Sequence, residues 1–370
     1  MTNVLLPGAT IGIIGAGQLG KMLAQSAQKM GYRVAMYDPN PQSCGFAVAN
    51  SYTVADFSDH DQLLAFVQSV DVVTYEFENI DGTLLDRLAA NSYLPQGTHL
   101  LLTSQDRLKE KNWLNAIGVP TVSFRGIYSK EDLSREDRGV LKTTRWGYDG
   151  KGQFLLDGQA DWDAIEASLA KQPLILEAFC EFAYEVSVIV ARDLQGAVKV
   201  FPPSVNEHIH GVLCTSLVTG DFDAAVLAKI VDQATVIAEA GHLVGVCGIE
   251  FFVTQDGDIV ANELAPRPHN SGHYSMEGCN VSQFDQHILA ITGRPIRDIY
   301  LWEDSLMVNI LGQHMPQIEA VIEAFPEAMV HVYDKGEAKE QRKMGHFTLT
   351  QAGVSEVLRS DFLQAWRQLF

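Results

Sequence analysis

The segment "TIGIIGAGQLGKMLAQSAQKMGYRVAMYD", residues 10–38, constrains the fold more than any other part of the chain. A short apolar run ends in a glycine turn. An amphipathic stretch closed by Gly31 follows, and then a second apolar run. Two buried strands joined through a helix cannot form a hairpin, so they pair in parallel with a right-handed crossover. The pattern repeats in "HDQLLAFVQSV" (helix), "DVVTYEFE" (strand) and "DGTLLDRLAANS" (helix). The N-terminal hundred residues therefore read as α/β with a parallel sheet.

Beyond them, "TSQDRLKEKNWLNAIGVP" reads as one helix starting at Thr103 or Ser104 and stopping at Gly118. Short strands follow: "TVSFRGIY", "GVLKTTRW", "GQFLLD", "PLILEAFC", "YEVSVIVARD" and "AVKVFPP", with a helix near 161–171. Gly, Asp and Pro turns between them predict antiparallel sheets, so the class changes from α/β to α+β. Residues 222–241 read as a long amphipathic helix, and the tail from about 300 again mixes a helix with short strands.

Three stretches carry candidate chemistry. "GAGQLG" at 15–20 matches GxGxxG between a strand and a helix, with Asp38 closing the next strand. This is the dinucleotide fingerprint, and backbone N–H groups at the helix start suit a phosphate of NAD or of another ligand. The same glycines would equally serve close strand-to-helix packing.

In "GIEFFVTQDGDIVANELAP" a two-residue Asp256-Gly257 turn would place Phe252 opposite Ala261 and Glu250 opposite Glu263. Facing carboxylates repel unless a cation or a shared proton lies between them, so the pair is a candidate Mg2+ site or a solvated pair. Regular alternation would turn Asn262 to the other face unless the strand end twists. "GYDGKGQ" at 147–153 follows Lys142 by five residues and holds Lys151. It reads either as a surface hairpin or as a loop whose glycines approach phosphate oxygens and close as a lid.

Composition narrows the partners. A formal net charge of −19 argues against nucleic acid and anionic membranes, since both are held by excess Lys and Arg. No apolar run is long enough to span a bilayer and no signal-peptide pattern is read at the start, which sets a cytoplasmic expectation. Cys44, Cys180, Cys214, Cys247 and Cys279 lack CxxC spacing, so neither a zinc site nor a disulfide framework is expected from them.

The set "SQDRLKEK", "LKTTRWGYDGKGQ", "EAFCEFAYEVSV", "NEHIHGV", "GIEFF", "NELAPRPHNSGH" and "RKMGH" resembles the ATP-grasp superfamily. Within it the chain is similar, over nearly its whole length, to the N5-carboxyaminoimidazole ribonucleotide synthetases of purine biosynthesis. The resemblance implies a Rossmann-like pre-ATP-grasp domain at 1–103, an ATP-grasp domain at 104–296 with a lid within about 140–185, and a small C-terminal domain at 297–370. It implies ATP and Mg2+, carboxylation of 5-aminoimidazole ribonucleotide with bicarbonate through carboxyphosphate, and a homodimer.

Carried over by position, it puts Arg107 and Lys142 on the nucleotide phosphates. Gly147, Tyr148, Asp149, Gly150, Lys151, Gly152 and Gln153 lie over the transferring phosphoryl group, with Tyr148, Asp149 and Lys151 as catalytic candidates. Glu177, Ala178, Phe179 and Cys180 form a strand edge reading adenine, Glu185 holds the ribose, and His208 lies near the nucleotide. Glu250 and Glu263 bind Mg2+ beside Asn262. Arg267, His269, Asn270, Ser271 and His273 face bicarbonate and the acceptor, with Asp149 or His273 taking the amine proton. Gly17, Gln18, Leu19, Glu76, Lys335, Arg342 and Lys343 bind the ribonucleotide. Lys339 stands where the family usually has arginine, which would replace a bidentate fork by a point charge. Alternatives at this stage are a formate-using transformylase of the same superfamily, a nucleotide sensor without turnover, and an NAD-dependent oxidoreductase.

Overall fold

The computed structural model describes residues 4–147, 152–158, 160–351 and 354–370. The first unit runs β1 (Thr10–Ile14), α1 (Gln18–Lys29), β2 (Arg33–Asp38), β3 (Ser51–Val54), α2 (His60–Gln68), β4 (Val72–Tyr75), α3 (Gly82–Asn91) and α4 (His99–Ser104). Its sheet is parallel in the order β3-β2-β1-β4, as the helical crossovers require. The edge strand β3 escaped the sequence reading, because "SYTV" is short and mostly exposed.

The expected helix from Thr103 is instead two. Asp106 breaks the run: its carboxylate accepts from the Leu108 and Lys109 N–H groups and caps α5 (Arg107–Ala116). A side-chain acceptor at that place satisfies orphan donors and starts a new helix.

A four-stranded antiparallel sheet in the order β5-β8-β6-β7 comes next, from β5 (Phe124–Ile127), β6 (Gly139–Thr143), β7 (Gln153–Leu156) and β8 (Leu174–Glu177), with α6 (Trp162–Leu169) against it. The main antiparallel sheet holds β9 (Phe182–Arg192), β10 (Val198–Val200), β11 (Ser204–Ile209), β12 (Val212–Val218), β13 (Gly245–Thr254) and β14 (Ile259–Ala265). The helix α7 (Ala224–Ala240) seals one face, burying Val226, Ile230, Ala234 and Ile237 against Ile249, Phe251 and Val253. The short α8 (Ser275–Gly278) and α9 (Gln283–Ile291) link this sheet to α1.

The tail supplies β15 (Ser305–Leu311), α10 (Ile318–Ala324), β16 (Met329–Val332), β17 (Lys343–Thr350), α11 (Val354–Val357) and α12 (Asp361–Arg367). Its strands continue the main sheet, in the order β14-β13-β9-β11-β12-β15-β17-β16. Arg367 clasps Glu207 of β11 with Nε and a terminal nitrogen at 2.8–3.0 Å, tying α12 back to the sheet. All five cysteines are free thiols. No helix among the described residues is long and apolar enough to cross a membrane.

Candidate active site

The β13–β14 hairpin differs from the two-residue-turn expectation in a way that makes the site. The turn spans three residues, Gln255 to Gly257, with Gly257 at φ +74° and Thr254 N–H donating to Asp258 O at 2.8 Å. Phe252 therefore faces Val260, and Ala261 faces Phe251. A bulge between Glu250 and Phe251 then restores the register, so that Glu250 does face Glu263. A bulge sets two residues against one and disturbs alternation. Asn262 consequently reaches the carboxylate face, its amide donating to Glu250 Oε2 at 3.4 Å.

The strand order brings more acid to that face. Glu250 also lies opposite Ser187 on β9, and Phe252 opposite Glu185, while Glu185 pairs with Asn206 of β11. Ligand atoms of Glu185, His208 and Glu250 fall within 4.8 Å of one another. His208 Nδ1 is 3.1 Å from Glu185 Oε1, and His269 Nε2 is 3.7 Å from Glu250 Oε1.

Burial, then Glu185 and Glu263, hold the Glu250 carboxyl well above its ordinary range. Glu185 is pushed up to about 7, first by burial and then by Glu263, against the hydrogen bond from Asn206. Such a group binds its proton more tightly folded than unfolded. Its contribution to stability is complete below about pH 4.3 and is lost as pH rises through about 7. Between those values the thermal midpoint of the unaltered chain should fall more than that of Glu185→Gln, and identical slopes would remove this account.

A second layer was not expected from the sequence. Arg107, at the start of α5, donates to Glu263 Oε2 at 3.1 Å and lies 3.5 Å from Gly147 O. Lys142 on β6 donates to Glu177 Oε2 at 2.8 Å, and Lys111, 1% exposed, sits 3.5 Å from Glu177 Oε1 and donates to Asn262 O at 3.3 Å. Burial alone would raise the Glu177 carboxyl, but the Lys142 and Lys111 ammonium groups outweigh it and hold it below the usual range. Glu177 thus belongs to a buried ion network. It ends β8, and Ala178, Phe179 and Cys180, expected to read adenine, form the connection to β9, with the Ala178 N–H donating to Ser123 O.

Glu110 and Lys111 could have been found. Positions 107, 110, 111 and 114 follow the i, i+3, i+4, i+7 spacing of a buried helical face, and three of the four are charged. The β6–β7 hairpin is described at its base, where Thr143 N–H donates to Gly152 O and Lys142 faces Gln153. Tyr148, Asp149, Gly150 and Lys151 lie outside the described residues.

The N-terminal glycines do something other than hold a dinucleotide. Gly17 N–H donates to Glu76 Oε1 at 2.7 Å and Gly20 N–H to Oε2 at 3.3 Å, while Ala16 N–H donates to Asp38. A protein carboxylate thus takes the place at the start of α1, beside Gln18 and Leu19, where a fingerprint loop would hold pyrophosphate. Asp38 also accepts from Asn40 N–H and the Ser43 hydroxyl, so it is engaged within its own turn. The NAD reading is corrected accordingly.

Around this helix start stands a basic loop. Lys335 donates to Lys343 O and Arg342 to Lys335 O. Burial, then Arg342, lowers Lys335, with Glu76 and Lys343 also within its field. Lys339 projects outward, 67% exposed and 3.8 Å from Glu337.

Of the remaining candidates, Arg267 pairs with Glu78 at 2.6 Å, a partner the sequence reading missed. His269 Nδ1 meets the Ser271 hydroxyl at 2.8 Å. Asn270 exchanges two amide hydrogen bonds with Asn309. His273 stands apart: it is 1% exposed, 3.1 Å from the Gln283 amide and packed on Phe284, Tyr333 and His346. Burial, with His331 and Lys343, lowers it to about 3, which makes it a poor proton acceptor in this position.

Comparison with known proteins agrees with this fold. Residues 8–104 match a ribonucleotide synthetase preATP-grasp domain, 112–284 an ATP-grasp domain, and 305–360 a phosphoribosylaminoimidazole carboxylase C-terminal domain. An N5-carboxyaminoimidazole ribonucleotide synthase of Bacillus subtilis is 42% identical over 360 residues, 96% of this chain and 94% of the relative. The crystal structure of an ADP complex of an N5-carboxyaminoimidazole ribonucleotide synthetase superposes with a TM-score of 0.95 at 42% identity, covering 100% of both chains. The Aspergillus clavatus synthase, in complex with ADP and 5-aminoimidazole ribonucleotide, matches with a TM-score of 0.87 at 27% identity, covering 98% of this chain and 100% of that one. The chain belongs to the N5-carboxyaminoimidazole ribonucleotide synthase family of ATP-grasp ligases.

Proposed function

We propose that the chain carboxylates 5-aminoimidazole ribonucleotide with bicarbonate at the expense of ATP, giving N5-carboxyaminoimidazole ribonucleotide, ADP and phosphate in purine biosynthesis. The observation that carries the reading is the face formed by Glu250, Glu263 and Glu185, bordered by Arg107 and Lys142. Hard carboxylate oxygens brought together at the cost of raised protonation fit a divalent cation, which would relieve their repulsion. Glu250 and Glu263, with Asn262 beside them, are the residues to hold Mg2+. When bound, that ion neutralises the nucleotide's phosphate oxygens.

Phosphoryl transfer asks the protein for position and charge. Lys142, steadied by Glu177, and Arg107 supply positive charge above the carboxylate face, and Lys151 is assigned the same task from the lid. Gly147, Gly152 and Gln153 frame that lid, with Tyr148 as its cover. Ala178, Phe179 and Cys180, in the connection after Glu177 at the end of β8, are suited to reading adenine, and Glu185 and His208 to the ribose side. A bicarbonate oxygen attacks the γ-phosphorus as the bond to ADP breaks; the resulting carboxyphosphate, shielded from water, splits into phosphate and carbon dioxide, and the acceptor amine attacks the carbon and gives up a proton to form the carbamate. Arg267, His269, Asn270 and Ser271 border that region, and Asp149 is the proposed acceptor of the amine proton. Lys335, Arg342 and Lys343 hold the ribonucleotide phosphate near Gly17, Gln18 and Leu19. Glu76, by filling the helix start, keeps that phosphate on the lysines. A homodimer in the cytoplasm completes the proposal.

The test is ADP release by the purified chain with ATP and Mg2+, with or without 5-aminoimidazole ribonucleotide, and with bicarbonate or formate. Release that needs both the ribonucleotide and bicarbonate is expected. Release with formate in place of bicarbonate would move the assignment to a transformylase.

A further inference from the structure

Away from the carboxylate face, Glu277 of α8, His331 of β16 and His346 of β17 bring one ligand atom each within 4.8 Å of the others. The two histidines are directly opposed across the β16–β17 ladder. His331 Nε2 is 2.8 Å from Glu277 Oε1, and His346 Nδ1 is held at 2.7 Å by the Tyr333 hydroxyl. That second contact fixes one ring nitrogen and leaves the other for a ligand, the arrangement usual around metal-bound histidine. His346 is fully buried, yet its Nε2 has no hydrogen-bond partner, and neither has Glu277 Oε2. Buried polar atoms without partners are destabilising, since they have given up water and gained nothing in return. Two of them converging in one cluster point to something between them.

We infer that Glu277, His331 and His346 form a site for a borderline divalent cation of the Zn2+ class, at the base of the hairpin that carries Lys335 and Arg342. Two imidazoles and a carboxylate are a Zn2+ donor set, and the set is poor for Mg2+, which prefers oxygen. Burial, with His273 and His331, keeps His346 in its neutral, ligating form. The His331 and His346 rings lie 4.6 Å apart and 17° from parallel, so His331 must turn out of the stack to share one ion with His346, which keeps its Tyr333 contact. The ion then replaces the proton between His331 and Glu277. A bound ion would pin β16 and β17 to α8 and so fix the loop of residues 333–342 relative to the central sheet.

The test uses the full chain stripped with chelator, ZnCl2 as the only added metal, and equilibrium dialysis. About one equivalent of Zn2+ is expected that persists in Glu250→Gln and is lost in Glu277→Gln and His331→Gln. Loss of one of three ligands should weaken it beyond the ~10–100-fold that removal of an outer-shell partner costs. Co2+ at the same site should give the visible absorption of a tetrahedral ion, absent in Glu277→Gln. Because Glu277→Gln preserves shape, a far-UV spectrum like that of the unaltered chain keeps the comparison valid, and His331→Gln serves if it does not. Undiminished Zn2+ in both variants, Zn2+ that disappears in Glu250→Gln alone, or no binding to the unaltered chain would each overturn the site.

Discussion

Glu263→Gln should reduce ribonucleotide-dependent ADP release by on the order of 10²–10³-fold or more while leaving the protein folded, because it removes one of the two carboxylates proposed to hold the Mg2+ that neutralises the phosphate oxygens. The Glu263 side chain is 44% exposed and, among the described residues, its ion-pair partner is Arg107, so the cost to stability should be no more than about 1 kcal/mol. An unchanged denaturation midpoint together with the kinetic loss is the expected pair of results. Full activity in this variant would withdraw Glu263 from the metal and phosphate machinery. The Asn262 bulge is what makes the experiment specific, since it aligns Glu263 with Glu250 in spite of the offset turn.

Gly15→Ala should destabilise the chain by about 2–5 kcal/mol, the sum of overpacking and left-handed strain. Gly15 has φ +98°, and a methyl group there would lie 2.6 Å from Glu76 Cγ and 2.9 Å from Phe77 Cδ1. The glutamate cannot retreat without giving up the Gly17 and Gly20 N–H groups. Gly8 provides the control: it has the same φ, +98°, with nothing within 4 Å of an added methyl. Gly8→Ala should cost only the backbone strain, about 1–2 kcal/mol. Urea midpoints at constant slope measure both, and equal losses would mean that admission of Glu76 is not what the motif is for.

These two residues mark the limit of what a linear reading shows. The glycine motif was recognisable as a helix start able to hold an anion, and it does hold one. The anion is a side chain 59 residues away in sequence, which no local pattern announces. Glu250 and Glu263 were placed face to face from the hairpin alone, yet through a turn one residue too short. The bulge that corrects it lies in the β13–β14 ladder itself, while β13 pairs regularly with β9 at Glu250 and Phe251 and Ala261 N–H donates to Pro120 O ahead of β5.

Periodicity and turn chemistry are properties of neighbouring residues. They determined the parallel N-terminal sheet, the long helix α7, and a carboxylate pair on one hairpin, Glu250 opposite Glu263. Burial of charge depends instead on what lies across the fold. Lys111 meets Asn262 from 151 residues away, Arg107 meets Glu263 from 156, and Glu277 meets His331 through the packing of α8 on the C-terminal strands. Only the tertiary structure decided those partners, because a buried ion is stable only where its counter-charge and hydrogen bonds converge on it in space.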